Sequence, residues 1–185
     1  AVPDSMIPQS SAIAKTFEKF GPKEVIVLPG RKISEVDSEK YLNVLRKATG
    51  IWFGGGRQWN FVDAYHDTKA LKLMHKVLDN GGVIMGSSAG ASIQAEYLVR
   101  GNPLGNRDMM AEGYEKGLGF LSGVAIDQHF AERDRFKDLS SVIQRFPQLL
   151  GIGIDEGTAL IVNGSIGTVQ GRGRVHFYDR RGIAK

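Results

Sequence analysis

Residues 83–93 read Val-Ile-Met-Gly-Ser-Ser-Ala-Gly-Ala-Ser-Ile, an apolar run passing through Gly86-Ser87-Ser88-Ala89-Gly90 into a segment of helical composition. Strand, tight turn and helix in that order form the repeating unit of a parallel α/β fold. The same rhythm extends outward in both directions. Short continuous apolar runs occur at 24–29 (EVIVLP), 51–53, 123–126, 152–154 and 158–162, and such runs suit strands covered on both faces. Helical spacing predicts helices over 11–20, 38–47, 59–78, 89–99 and 133–146, with Asn80-Gly81-Gly82 as a stop. After Thr158, the runs TALIV, SIGTVQ and RVHFYD are joined by Asn163-Gly164, Gly171 and Gly173, which predicts an antiparallel extension. Residues 100–119 hold five Gly and one Pro without periodicity, a loop long enough to suggest function.

The chain has 185 residues, enough for one domain with its own core. Hydrophobic residues at 42% and charged residues at 24% exclude a disordered, collagenous or coiled-coil chain. With no Cys there is no disulfide, thiolate metal site or cysteine nucleophile, so hydrolytic chemistry falls to Ser or Thr. No apolar run approaches the ~18 residues that cross a bilayer, and the first ten residues lack an export signal. A cytoplasmic chain without membrane contact is expected; secretion stays open because the sequence may lack its native N-terminus. Only Ala1 and Val2 precede Pro3, so a single domain over 1–185 lacking an N-terminal strand is expected. The net charge of +4 is scattered. The Arg172, Arg174, Arg180 and Arg181 group, interleaved with Phe177 and Tyr178, reads as a solvated strand edge rather than a nucleic-acid strip. Neither a metal-ligand cluster nor a dinucleotide fingerprint is present, so no metal and no cofactor is expected.

Gly86-Ser87-Ser88-Ala89-Gly90 is a G-x-S-x-G between a strand and a helix, the context in which a sharp turn lifts a serine hydroxyl above the sheet. Ser88 is the candidate nucleophile, with the Ala89 amide facing the same space; an anion-binding turn is the alternative. Gly54-Gly55-Gly56-Arg57-Gln58 follows another strand and falls at the same sheet edge, where a bare Gly amide could complete an oxyanion hole. Four histidines are available as base. His66 and His75 fall on the long helix and His176 within an alternating strand, leaving His129, just past the strand at 123–126. Glu156 closes another strand and could orient that base, with Asp155, Asp127 and Glu132 as rivals. Arg133 and Arg135 follow closely, and Arg grips carboxylates with two parallel bonds.

Taken together, F-G-G-G-R-Q, G-S-S-A-G-A, D-Q-H-F-x-x-R-x-R and G-I-G-I-D-E-G-T-A, spread over 51–162, resemble the cyanophycinase branch of the S51 serine peptidases. The resemblance implies a flavodoxin-like fold related to class I glutamine amidotransferases: a mostly parallel sheet with helices on both faces. It implies Ser88 as nucleophile, His129 as base, Glu156 as orienting acid and the Gly55 and Ala89 amides as oxyanion donors. Substrate contacts would fall on Gln58, Asp127, Gln128, Arg133 and Arg135. The implied substrate is cyanophycin, a poly-aspartate bearing arginine on each β-carboxyl, or a smaller isoaspartyl peptide, and the implied assembly a homodimer. An α-aspartyl dipeptidase and a catalytically silent binding protein are the alternatives. Arg57 departs from the family pattern, in which an acidic residue precedes Gln58.

Overall fold

The computed structural model describes residues 12–179 and the backbone of 182–183. Three helices, α1 (Ala12–Glu18), α2 (Ile33–Val36) and α3 (Glu39–Leu45), lead into β1 (Gly50–Phe53). Next come α4 (Gln58–Tyr65), α5 (Lys69–Asp79), β2 (Val83–Gly86), α6 (Ala89–Ser92) and β3 (Ala95–Tyr97). Then follow β4 (Leu121–Gln128), α7 (Phe136–Arg145), β5 (Leu150–Ile154), β6 (Thr158–Asn163), β7 (Ile166–Gly171), β8 (Val175–Asp179) and β9 (Gly182–Ile183).

The pairs among β1 to β5 are parallel, and every pair that involves β6 to β9 is antiparallel. β1 and β2 pair in parallel. A five-stranded sheet has the order β3-β4-β5-β8-β9, parallel through β5 and antiparallel beyond. β6 and β7 form a separate hairpin, as expected from Asn163-Gly164. β2 does not join β4, because β3 and β5 already occupy the two edges of that strand.

Three expectations need correction. Residues 24–29 do not form a strand: none of the described strands pairs with them, and an extended segment becomes a strand only when a neighbour completes its ladder. The helix expected over 59–78 is two. Asp67 takes a left-handed φ of 59°, and buried Thr68 caps a new helix by accepting the Leu71 amide at 3.1 Å. Asp37 accepts the Lys69 and Ala70 amides at 3.1 and 3.0 Å, so α5 begins on two outside acceptors. The helix expected over 89–99 stops at Ser92. There the chain enters β3, where Ala95 and Tyr97 are buried and Glu96 between them is exposed; pairing with β4 outweighs local helical preference.

The core divides by sheet face. Phe53 of β1 anchors one cluster with Tyr41 and Leu42 of α3, Ala64 and Tyr65 of α4, and Met74 of α5. Within it the Tyr41 and Tyr65 hydroxyls share a 2.7 Å hydrogen bond, and burial pushes both phenols up. Alternation along β4 sends Ala125 toward Leu139, Val142 and Ile143 of α7, and Val124 and Ile126 to the opposite face with Ile152. The parallel strands therefore place their carboxyl ends together, where α/β folds build sites.

Replacing Thr68 by Ala tests the divided helix. In an uninterrupted helix the change would be neutral or stabilising; as loss of a buried cap it should cost about 1–2 kcal/mol, read from the midpoint of urea unfolding.

Candidate active site

The turn after β2 is held by close approach. A Cβ on Gly86 would collide with the Gly90 carbonyl, and a Cβ on Gly90 with the Phe53 carbonyl. Gly90 is thus required by backbone packing against the end of β1, and Gly86 by the closeness of the turn to itself. The Ser87 amide donates to Phe53 O at 3.1 Å and fixes the turn there. Between the glycines Ser88 adopts φ 54° and ψ −123°, a conformation that costs a non-glycine residue on the order of 1–3 kcal/mol. As the first residue of α6, Ala89 has an amide with no intrahelical acceptor. Gly55 lies alongside: a Cβ there would sit 3.4 Å from Ser88 Cβ.

Two further strand ends meet Ser88. Its hydroxyl donates to His129 Nε2 at 2.9 Å, and His129 Nδ1 donates to Glu156 Oε1 at 2.6 Å. The carboxylate fixes the imidazole tautomer, leaving Nε2 as the acceptor. His129 follows β4 with a φ of 54°. Its position is set by Phe130, fully buried against the rings of Phe136, His176 and Tyr178. Phe130 fits only because residue 153 is glycine, where a Cβ would stand 2.6 Å from the ring.

The rival acids are engaged elsewhere. Asp155 accepts the Ala131 and Arg174 amides at 3.1 and 3.0 Å and binds His176 Nε2 at 3.0 Å, tying together the loops that carry His129 and Glu156. Glu132 accepts the Glu156 amide at 3.0 Å. Asp127 is fully buried. His66 and His75 donate to the Lys116 and Leu118 carbonyls at 3.1 and 2.8 Å and so anchor the long loop.

Beside Ser88 opens a cavity of about 230 Å³ lined by Gly56, Arg57, Gln58, Arg100, Asn106, Gln128, Arg133 and Arg135. Of the expected substrate contacts, Gln58, Gln128, Arg133 and Arg135 line it, and Asp127 does not. Asp127 lies beneath, gripped by Arg100 Nε and Nη2 at 3.1 and 2.9 Å and by Arg135 Nη1 at 2.6 Å. Arg100 also reaches Asp138 at 2.8 Å. Burial pulls the Arg100 guanidinium down, but Asp127 and Asp138 together carry it above its ordinary range. Arg135 stays below the ordinary range through burial and its neighbours Arg100 and Arg133, against the pull of Asp127. Arg100 and Asn106 were not anticipated from sequence. Nothing local marks Arg100, because its partner stands 27 residues away.

Residues 9–169 match peptidase family S51. The chain belongs to that family. It is 33% identical over 174 residues to the cyanophycinase of Synechococcus elongatus, covering 91% of this chain and 53% of that protein. The cyanophycinase of Geminocystis herdmanii is 31% identical over 173 residues, with 91% and 63% covered. The chain thus spans roughly half to two-thirds of the length of these relatives. Among solved structures, a peptidase from an acI-B1 actinobacterium superposes with a TM-score of 0.65 at 22% identity, covering 93% of this chain and 73% of the other. A putative peptidase E from Listeria monocytogenes EGD-e gives 0.59 at 18% identity, with 90% and 84% covered. The fold of this S51 chain is flavodoxin-like, of the class I glutamine amidotransferase type.

Replacing Asp127 by Asn would leave two largely buried guanidiniums short of their shared carboxylate. A loss of roughly 3–5 kcal/mol is expected in denaturant unfolding.

Proposed function

We propose that this chain is a serine peptidase that hydrolyses β-aspartyl peptides of the cyanophycin type through Ser88, His129 and Glu156. The observation that carries the reading is the continuous relay from Ser88 Oγ to Glu156, built on a left-handed serine between two glycines. Family membership and the names of the relatives support it.

Ser88 Oγ attacks the scissile carbonyl carbon while its proton passes to His129 Nε2. Glu156 holds the imidazole in orientation and stabilises the imidazolium. The carbonyl oxygen, now negative, is received by the Ala89 and Gly55 amides. As the C–N bond breaks, His129 returns the proton to the leaving amine, and an acyl ester remains on Ser88. Water then attacks that ester with His129 again as base, releasing the acid and restoring the hydroxyl. The free aspartyl carboxylate is held by Arg133 and Arg135, with Gln58 and Gln128 against the rest of the acyl group. The acting form is a homodimer releasing terminal units as an exopeptidase.

The test is intact mass after incubation with a fluorophosphonate, for wild type and Ser88→Ala. A single adduct absent from the variant is expected, together with a loss of at least about 10⁴-fold in hydrolysis of β-Asp-Arg oligomers at unchanged folding. Folded wild type that is neither labelled nor active would leave a silent binding protein as the correct reading.

A further inference from the structure

His176 lies on β8 opposite Gly153 of β5 and takes no part in the relay itself. It nonetheless touches the chain neighbours of both residues behind Ser88. Its ring packs on Phe130 with centroids 5.2 Å apart at 34°, and edge-on to Phe136 at 5.3 Å. Its Nε2 donates to Asp155 Oδ1 at 3.0 Å, with the two side chains 21% and 9% exposed. Phe130 follows His129 and Asp155 precedes Glu156, so one imidazole bears on a residue adjoining each half of the His129–Glu156 pair. Neither half is fixed by its own burial. The Glu156 side chain is 49% exposed, and among the described residues its carboxylate is hydrogen-bonded only to His129 Nδ1. A solvated glutamate with three rotatable bonds keeps one 2.6 Å geometry only where its backbone is held. His129, itself 24% exposed, sits on a left-handed backbone at φ 54° that its surroundings must enforce.

We propose that His176 is a positioning residue for the relay: its ring clamps Phe130, its Nε2–H holds Asp155, and together these contacts fix the two backbones from which His129 and Glu156 reach each other. Without the N–H, the buried Asp155 Oδ1 keeps only the Ala131 amide, and the chain carrying Glu156 is free to shift its carboxylate toward water. Without the ring, space opens beside Phe130 and the left-handed backbone at His129 can relax. A misplacement of about 1 Å in such a constellation costs on the order of 10²-fold in rate. The imidazole donates to Asp155 alike when it is protonated and when it is neutral with hydrogen on Nε2, so the clamp needs no change of charge. His176 does not line the cavity beside Ser88, so its loss falls on kcat rather than KM. The inference rests on the proposed serine peptidase reading for its effect on turnover, but the geometry it concerns is read without turnover.

The experiment compares the full chain with its His176→Ala, His176→Phe and His176→Gln variants. Phe keeps a ring against Phe130 without the N–H, and Gln places an amide N–H where Nε2 stood without the ring. Variants folded by circular dichroism and thermal unfolding are taken through hydrolysis of β-Asp-Arg oligomers, fluorophosphonate labelling and proton NMR. The NMR signal is the low-field His129 Nδ1–H resonance, assigned by its absence from His129→Gln. His176→Ala should lower kcat and the labelling rate by about 10²-fold with KM within about threefold of wild type, and should broaden or erase the resonance. His176→Phe and His176→Gln, each keeping one hold, should lose about tenfold, and they carry the test alone if His176→Ala does not fold. Wild-type kcat in both of these, a resonance unchanged in both, no such resonance in wild type, or a rise in KM that accounts for the loss would each overturn the proposal. Active wild type with indifferent variants sinks this inference alone. A resonance present in wild type and lost in the variants, in a chain neither labelled nor hydrolytic, sinks the peptidase reading alone.

Discussion

The turn at Gly86–Gly90 is folded so tightly on itself at Gly86, and against the end of β1 at Gly90, that neither glycine can carry a side chain. That contact forces Ser88 into a left-handed conformation and starts α6 immediately after it. α6 packs against β1, β2 and β4, so this short segment joins the two-stranded and five-stranded sheets that share no ladder. The strain at Ser88 is tolerated because the surrounding backbone leaves no relaxed alternative. The hydroxyl is consequently presented to His129 without a long search through rotamers, as a fixed relay needs.

A second constraint is electrostatic. Asp127, buried at the end of β4, draws Arg100 from the loop after β3 and Arg135 from the cap of α7 toward one point. The ion pairs neutralise charges that could not be buried singly. They also decide what remains for a ligand: an excess of guanidinium over carboxylate in a small space beside the serine. Asp155 does comparable work on the other side, holding the His129 and Glu156 loops to each other and to β8. Of the acids near the site, only Glu156 is left to orient the imidazole.

The elements that sequence patterning located correctly are those whose signal is local. The strands read at 51–53, 83–85 and 152–154, which the structure extends by one or two residues, the hairpin around Asn163-Gly164 and the amphipathic α7 carry their periodicity and turn residues within a few positions. The failures have non-local causes. Thr68 ends one helix and begins another because its cap and the Asp37 carboxylate intervene. Residues 95–97 become a strand because β4 pairs with them, and 24–29 pair with none of the described strands.

For the site, the sequence by itself determined which candidate groups stand at strand ends: Ser88 in a G-x-S-x-G, His129 and Glu156 each just past an apolar run. Those placements hold because a residue's position at the end of a strand is written locally. Only the tertiary structure decided which acid faces His129, since four carboxylates had equivalent local contexts and differ solely in what packs around them. It also decided the pairing of Arg100 with Asp127 and the charge of the cavity, because Coulomb energy depends on distance and burial, and neither is encoded in separation along the chain.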